Sequence, residues 1–404
     1  MSWEKVKLGD IATFSNGINF GKDAYSSGVK LITVSDFGNL YYPDYASLNE
    51  VDEKVLRKND YLKDGDIVFV RSNGNKELVG RCMLISNPPA PVTYSGFCIR
   101  ARLNDTQLND PHFFAYYFKS QIFRKAMSNS AVGANIQNLN QGLLSNHILS
   151  LPPLKEQKRI ADILSAYDDL IENNQKQIKL LEEAAQRLYK QWFIDLRFPG
   201  HETTPIVDGL PQGWKHKHVD DFGIVVTGKT PSTSKGDNYG GNIPFVTIPD
   251  MHGNVFPLKT ERYLTKKGAD SQKVKYLPKN SVIVSCIATV GLVNIASEEC
   301  QTNQQINSVI LNDERDLYFF YESMLRIKSL LDGVGSNGAT MTNVNKSKFG
   351  NVKVIYPTIN LIEKYYDFCK PFFDKILSLS KSIIQLKEAR DRLLPKLMNG
   401  ELEI

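Results

Sequence analysis

The sequence lacks the features that mark secreted, membrane-spanning and metal-dependent proteins. Its five cysteines are scattered without a C-x-x-C pair, and an odd set of unpaired cysteines is typical of reduced, intracellular proteins. No apolar run approaches the roughly 18 residues of a membrane span, and no signal-peptide core follows the first residues. The six histidines form no H-E-x-x-H motif. We therefore expect a cytoplasmic chain with no metal and no cofactor of its own.

A strong excess of one charge is also missing. The chain has 49 basic and 44 acidic residues among 404, a net charge of +5. Proteins that coat DNA without regard to sequence carry a far larger positive excess. The composition therefore permits a nucleic-acid partner without requiring one, and it predicts that the isolated chain binds DNA weakly. The length favours two domains of about 150 residues each with connecting elements.

Two short motifs suggest enzymes but lack the context that those enzymes need. Residues 223–230, GIVVTGKT, fit the phosphate-loop pattern G-x-x-x-x-G-K-T, yet no helix is predicted in the Pro-Ser-Thr segment that follows. Residues 87–90, NPPA, resemble the Asn-Pro-Pro-aromatic motif of adenine methyltransferases, but Ala90 replaces the aromatic residue that would stack on a flipped base. An enzymatic function depends on these motifs alone, and we predict that the chain is not an enzyme.

The chain does contain an internal repeat, which is the strongest signal in the sequence. Residues 3–10, WEKVKLGD, return loosely at 214–221 as WKHKHVDD, and Gly17 matches Gly228 at the same shift. Residues further along each copy align without a gap, including Asn146 with Asn351 and Pro152 with Pro357. The sequence therefore predicts two copies of one unit.

Each copy is predicted to be a mixed, mostly β domain followed by a long helix, an α+β fold. Short β-branched runs separated by Gly, Asn, Pro and Ser indicate strands and loops, with short helices predicted at Pro111–Met127 and Glu314–Leu331. The segments after each domain lose glycine and proline and take an apolar period of 3.5. The predicted segments are, in chain order, 1–152, 153–198, 199–357 and 358–404.

The two helical segments carry matched heptad stripes. We expect them to pair as an antiparallel coiled coil, although ordinary packing of each helix on its own domain is the alternative. Asn174 is expected to fix the register, Pro395 to kink or restart the second helix near its end, and Gly400 to end it. The stripe residues are Leu164, Tyr167, Ile171, Asn174, Ile178, Leu181 and Leu188, then Phe372, Ile376, Leu379, Ile383, Leu386 and Leu393.

Two similar domains on a rigid spacer suit DNA. A helix of thirty-odd residues is about 50 Å long, and B-DNA presents the same groove face about every 34 Å. Because the copies diverge in their loops, we expect a bipartite, asymmetric target with an unread middle. Such spacers also bind proteins, so a protein-interaction scaffold with two repeated binding domains is the alternative.

Several segments resemble the specificity subunits of type I restriction-modification systems. Residues 151–161, LPPLKEQKRIA, and the heptads after them resemble the central conserved region of that family. Residues 228–234, GKTPSTS, and 239–244, YGGNIP, resemble the opening of its target recognition domains, and 393–402, LLPKLMNGEL, resembles its C-terminal helix. One departure is that residues 356–362 lack the Pro-Pro-Leu-x-Glu-Gln pattern of the first copy.

The resemblance implies a DNA sequence-specificity subunit with two target recognition domains, 1–152 and 199–357, that each read one half of a bipartite target. It implies two partner methyltransferase (modification) subunits, which use S-adenosylmethionine to methylate adenine at N6. It also implies optional motor-nuclease (restriction) subunits that use ATP and Mg. The helical segments would supply much of the contact with these partners.

We expect the DNA contacts in loops between strands, because loops carry the side chains that reach base edges and phosphates. Arginine suits guanine, asparagine suits adenine, and lysine suits phosphate. Each candidate is alternatively an ordinary solvated turn residue, and the segment Gln301–Gln305 either reads bases or caps strand ends. The candidates are Lys22, Arg71, Ser72, Asn73, Asn75 and Lys76 in the first domain, and Lys229, Thr230, Thr233, Lys235, Thr289, Asn343 and Asn345 in the second.

Overall fold

The fold was analysed in a computed structural model, which describes residues 3–38, 41–72, 79–130, 139–234, 236–332 and 343–402. The chain forms two compact units. Unit 1 comprises Met1–Ile171 and Gln385–Ile404, and unit 2 comprises Glu172–Ile384. Both contain strands and helices, so the mixed α+β class predicted from the sequence is confirmed.

The described strands are β1 Glu4–Lys7, β2 Ala12–Asn16, β3 Val29–Ile32, β4 Asn49–Val51, β5 Ile67–Val70, β6 Cys82–Leu84, β7 Val92–Tyr94, β8 Cys98–Leu103, β9 Ile148–Leu151, β10 Ile206–Val207, β11 Leu210–Pro211, β12 Lys215–His218, β13 Gly223–Thr227, β14 Tyr239–Val246, β15 Arg262–Leu264, β16 Val282–Ser285, β17 Val293–Ile295, β18 Gln301–Thr302, β19 Ile306–Leu311 and β20 Lys353–Tyr356. The described α-helices are α1 Leu8–Ile11, α2 Pro111–Lys119, α3 Gln121–Ser130, α4 Gln141–Asn146, α5 Leu154–Tyr189, α6 Ile248–Met251, α7 Lys266–Asp270, α8 Leu317–Met324, α9 Ile327–Asp332, α10 Lys346–Gly350 and α11 Ile359–Met398.

Unit 1 is built on a four-stranded antiparallel sheet in the order β2-β8-β5-β6. Beside it lie a three-stranded sheet, β4-β3-β7, in which β3 and β7 are parallel, and the antiparallel pair β1-β9. Strand β5 is apolar throughout because both of its faces are covered. Ile67 and Phe69 pack with the rings of α2, whereas Val68 and Val70 pack with the residues of β7 on the other face.

Unit 2 repeats this plan strand for strand. Its four-stranded sheet has the order β13-β19-β16-β17, its three-stranded sheet has the order β15-β14-β18 with β14 and β18 parallel, and β12 pairs with β20. Strand β16 is again buried on both faces, with Val282 and Val284 in one core and Ile283 in another. The repeat found in the sequence is therefore a repeat of topology.

The short helices differ from the sequence prediction in one respect, since each predicted helix is broken into two. Ser120 takes an extended conformation between α2 and α3, and its hydroxyl donates to the Tyr117 carbonyl. In unit 2 a tight turn through Leu325 and Arg326 separates α8 from α9. The break follows from local side-chain-to-backbone and turn bonds, which compete with the helical pattern.

The two long helices contact each other in opposite directions within each unit. In unit 1, Leu164 of α5 lies in one core with Leu397 near the end of α11, and Asp168 further along α5 pairs with Arg390, which precedes Leu397. In unit 2, the Asn174 amide donates to Ser382 Oγ at 3.3 Å, and Tyr365 OH donates to the Ala185 carbonyl at 3.3 Å. Successive residues along α5 therefore contact progressively earlier residues of α11, which means that the two helices are antiparallel where they touch.

The stripe residues predicted for these helices are all buried or half-buried. Asn174 is 9% exposed and satisfies its amide with Ser382, as a register-setting polar residue should. Helix α11 does not restart at Pro395, since it continues to Met398. Gly400, with φ at 68°, follows the end of α11 as predicted.

None of the helices among the described residues is long and apolar enough to cross a membrane. All five cysteine side chains are buried and none forms a disulfide.

Candidate nucleic-acid interface

In unit 2, three connections meet at one end of the four-stranded sheet. Strand β13 ends where β19 begins, with Thr227 opposite Asn307. Strand β16 ends there as well, with Ser285 opposite Ile306, and β17 starts beside it. We call this surface the loop end of unit 2; it comprises residues 228–234, 286–292, 303–305 and 343 as far as they are described.

Lys229 and Thr230 lie at the loop end of unit 2 against the turn that precedes β19. The Lys229 amide donates to the Thr302 carbonyl at 2.9 Å, and Thr230 Oγ1 donates to Gln304 Oε1 at 2.6 Å. The Lys229 side chain is exposed, and so is Thr233. Lys235 lies outside the described residues. The first two candidates therefore belong to one hydrogen-bonded group with Gln304.

Thr289 and Asn343 lie together on the other side of this loop end. Thr289 is exposed, and its amide donates to the Ile287 carbonyl at 2.9 Å across Ala288, whose φ is 65°. Asn343 is also exposed and forms a β-bridge with Ile287. A non-glycine residue with positive φ is strained, and such strain collects at functional sites more often than elsewhere.

Asn345 has a structural partner instead. It is the N-cap of α10, and its Oδ1 accepts from the Lys348 amide at 2.9 Å. Asn140 in unit 1 caps α4 in the same way, accepting from the Leu143 amide at 2.9 Å. Asparagine is among the preferred N-cap residues, which accounts for its presence in both copies. A DNA contact by Asn345 would have to use the amide nitrogen.

The loop end of unit 1 has the same construction. It comprises residues 17–19, 71–72, 79–81, 95–97 and 139, with Asn16 opposite Ile99 and Val70 opposite Cys98 in the sheet. Arg71 lies at its centre, because its amide donates to the Phe97 carbonyl at 2.8 Å and its carbonyl accepts from Leu139 at 2.8 Å.

The Arg71 guanidinium is half-buried and reaches the Gly96 carbonyl at 3.4 Å. Ser72 is half-buried next to it. Asn73, Asn75 and Lys76 lie outside the described residues. Lys22 begins a single 3-10 turn, Lys22–Ala24, and its side chain lies outside the described part.

Equivalent positions in the two loop ends can be assigned from hydrogen bonds. Arg71 corresponds to Cys286, because the Cys286 backbone makes the same two bonds: its amide donates to the Gln305 carbonyl at 2.9 Å, and its carbonyl accepts from the Val344 amide at 2.8 Å. Phe97 therefore corresponds to Gln305. Burial raises the pKa of the Cys286 thiol to about 11, so the thiol is neutral at pH 7.

Glycine is required at one matched position in each loop end. A Cβ on Gly17 would lie 2.2 Å from the Ser95 carbonyl oxygen, and a Cβ on Gly228 would lie 2.1 Å from that of Asn303. Both glycines thus allow the chain that leaves β2 or β13 to pass directly against the turn that precedes β8 or β19. The match of Gly17 with Gly228 in the sequence repeat reflects this shared close approach.

A basic turn beside Lys229 was not predicted from the sequence. Gln272 Nε2 donates to the Lys229 carbonyl at 2.8 Å and to Gln301 Oε1 at 2.7 Å, which places the turn Lys273–Lys275 next to the Lys229 loop. Gln301 itself is fully buried and donates to the Ala269 carbonyl. Within Gln301–Gln305, Gln301 therefore supports the fold and only Gln304 is exposed.

The phosphate-loop match has the wrong structure for nucleotide binding. Gly223–Thr227 form the extended strand β13, paired with β19, and therefore do not form the loop whose successive amides surround a phosphate. No α-helix follows until Ile248 among the described residues. The described residues also contain no group of three or more potential metal ligands.

Comparison with known proteins gives a consistent result over the whole chain. Residues 1–183 and 211–388 match the family model described as type I restriction modification DNA specificity domain. The HindI type I restriction enzyme specificity subunit of Haemophilus influenzae is 28% identical, over 99% of both chains. The MjaIX specificity subunit of Methanocaldococcus jannaschii is 27% identical, over 100% of this chain and 94% of its own.

A solved structure shares the fold. The crystal structure of a type I restriction-modification S subunit from M. genitalium superposes with a TM-score of 0.60 at 15% identity, covering 98% of this chain and 96% of that one.

Proposed function

The chain belongs to the family of type I restriction modification DNA specificity domains, and from this premise we propose that its two units read the two halves of one bipartite, asymmetric DNA target. The observation that carries the proposal is the pair of matched loop ends. Each is a sheet end that carries polar or basic side chains on an equivalent backbone frame. Unit 1 presents the half-buried Arg71, whereas unit 2 buries Cys286 at that position and exposes Gln304 and Asn343. Equivalent frames with different side chains are suited to two different half-sites.

We assign different tasks to the candidate residues. Arg71 and Asn343 would contact base edges, since these side chains match guanine and adenine. Lys229, with Lys273 and Lys275 beside it, would contact phosphates, which position the protein without reading sequence. The other candidates remain proposed DNA contacts because of their positions in predicted loops: Lys22, Ser72, Asn73, Asn75, Lys76, Thr233, Lys235 and Thr289.

We propose that the chain performs no chemistry and acts with two methyltransferase subunits, which would use S-adenosylmethionine to methylate adenine at N6. Motor-nuclease subunits that use ATP and Mg would join where restriction occurs. We further propose that α5 and α11 pair as an antiparallel coiled coil. The support is that their contacts run in opposite directions in each unit and that their heptad residues are buried or half-buried.

A map of N6-methyladenine tests this proposal. We expect a split, asymmetric motif in cells that express the chain with its methyltransferase, and no motif when the chain is deleted and the methyltransferase is retained. A methylation pattern that does not change on deletion, with an active methyltransferase, would favour a protein-interaction scaffold instead.

A further inference from the structure

The turn that precedes the last strand of each four-stranded sheet carries one exposed, unusual side chain. In unit 1 the turn Tyr94–Phe97 ends in Phe97, whose side chain is 58% exposed. In unit 2 the equivalent turn, Thr302–Gln305, exposes Gln304. Phe97 is not among the contacts predicted from the sequence, and Gln304 belongs to a segment for which base reading and strand capping were both open.

Both turns are held rigidly, the turn of unit 1 by its backbone. In unit 1 the Ser95 amide donates to the Ile32 carbonyl at 2.9 Å and the Gly96 amide donates to the Ile18 carbonyl at 2.7 Å. A Cβ on Gly96 would lie 2.1 Å from Asn19 Oδ1, so this position admits only glycine without rearrangement. Phe97 is therefore presented from a fixed frame, which lowers the entropy lost when it contacts a ligand.

The turn of unit 2 reaches the same rigidity with side chains. Asn303 Oδ1 accepts from the Gln305 amide at 3.1 Å, and Asn303 Nδ2 donates to Gln305 Oε1 at 3.0 Å. Thr230 donates to Gln304 Oε1 at 2.6 Å, which leaves the Gln304 amide nitrogen to donate outward. Thr230 thus becomes a positioning residue for Gln304.

A single exposed apolar residue is common on protein surfaces, but the location of Phe97 is informative. Its carbonyl accepts from the Arg71 amide at 2.8 Å, so it lies beside the residue best suited to guanine in the major groove. The major groove also displays the thymine methyl group, which phenylalanine contacts well. Gln304, one position earlier in the equivalent turn of unit 2, offers an amide, which suits a polar base edge.

We propose that these two turns determine the half-site specificities, with Phe97 contacting a thymine methyl group in the half-site of unit 1 and Gln304 hydrogen-bonding a base edge in the half-site of unit 2. This inference rests on the proposed function. It adds two specificity residues and the base chemistry that one of them reads.

The test begins with methylation maps of the complete complex carrying Phe97→Ala, Gln304→Ala or Leu108→Ala. Leu108 is 65% exposed and follows the opposite end of strand β8, so it is a matched control. We expect Phe97→Ala to relax a thymine-containing position in one half of the motif, Gln304→Ala to relax a position in the other half, and Leu108→Ala to leave the motif unchanged.

The second step uses duplex DNA with the mapped motif, in which deoxyuridine replaces that thymine and so removes only its methyl group. We expect the wild-type complex to bind the deoxyuridine duplex about fourfold more weakly than the thymine duplex, the value of one buried methyl group. The Phe97→Ala complex should bind both duplexes equally.

The inference is overturned if a motif depends on the chain but is unaltered by Phe97→Ala, or if the wild-type complex does not distinguish deoxyuridine from thymine. Absence of any motif that depends on the chain would instead contradict the proposed function itself. The two failures are therefore distinguishable in the same set of maps.

Discussion

Gly228→Ala is the substitution with the sharpest expected effect on one half-site. The added Cβ would lie 2.1 Å from the Asn303 carbonyl oxygen and 2.3 Å from Thr302 Oγ1. Contacts this short require the turn Thr302–Gln305 to move by about 1 Å, and forced insertions of this kind cost about 1–3 kcal/mol. Because the turn must return to its wild-type position to contact DNA, the same free energy is lost from binding. At 1.36 kcal/mol per tenfold change, recognition by unit 2 should weaken by about 5- to 150-fold.

The damage should be confined to the loop end of unit 2. The Gly228 amide bonds to the Ile306 carbonyl at 3.0 Å and the Lys229 amide bonds to Thr302, so the displaced elements are the turn and the Lys229 loop. Gly17→Ala should have the matching effect in unit 1, since its Cβ would lie 2.2 Å from the Ser95 carbonyl oxygen. Methylation should fall in both variants, and residual sites should be degenerate in a different half of the motif in each.

The chain supplies its own controls for this experiment. A Cβ on Gly21 or on Gly236 meets no atom within 4 Å, and neither glycine has a positive φ. Gly21→Ala and Gly236→Ala should therefore leave the motif and its methylation rate unchanged. The reasoning is refuted if Gly228→Ala methylates the wild-type motif at the wild-type rate, or if it relaxes both halves alike.

Three further predictions concern charge and stability. Lys229→Ala should leave the methylated motif unchanged but make the slope of log affinity against log salt less negative by about 0.9, as for one lost phosphate contact. Fluorescence anisotropy between 50 and 200 mM salt measures this slope. A changed motif would indicate that Lys229 contacts a base instead. Arg390→Met should lower the unfolding free energy by about 2 kcal/mol, because it leaves Asp168, which also accepts from Tyr116 at 2.7 Å, without its cation. Adding Asp168→Asn to the same chain should recover part of this loss. If the effects of the two substitutions on the unfolding free energy are additive, the two residues do not form a stabilising pair. Burial raises the pKa of Glu322 to about 8, so between about pH 5 and pH 8 the folded chain keeps a proton that the unfolded chain loses. The stability of the wild type should therefore fall relative to that of Glu322→Gln as the pH rises through this range. The prediction is contradicted if the melting temperatures of the two proteins differ by the same amount at pH 5 and pH 8.

The repeat could be predicted from the sequence because it depends on residues that backbone geometry restricts. Gly17 and Gly228 recur because any side chain there would clash, and Asn140 and Asn345 recur because each caps a helix. The heptad stripes could likewise be predicted because burial on one face of a long helix imposes a period. The N-cap function of Asn345 could also have been inferred from its place before Lys346–Gly350.

The loop ends could not be predicted in the same way. Phe97 corresponds to Gln305 only through hydrogen bonds between strands that are distant in the sequence, and a register shift of one residue would reverse which side chain is exposed. Nothing local distinguishes Phe97 from the buried residues of the strand that follows it. Gln301 and Gln304 have the same side chain, yet one is fully buried and the other exposed.

The two units of the chain separate what the fold requires from what recognition can vary. Positions with a shared backbone task keep their residue type, as Gly17 and Gly228 do. Other positions in the same frame have diverged, as the half-buried Arg71 and the buried Cys286 have, and as the buried Gly96 and the exposed Gln304 have. Because the frame is held by backbone hydrogen bonds and by glycine, a change of side chain at the loop end costs little stability. Such a scaffold can acquire a new half-site through substitutions in one turn, without altering the other unit or the long helices.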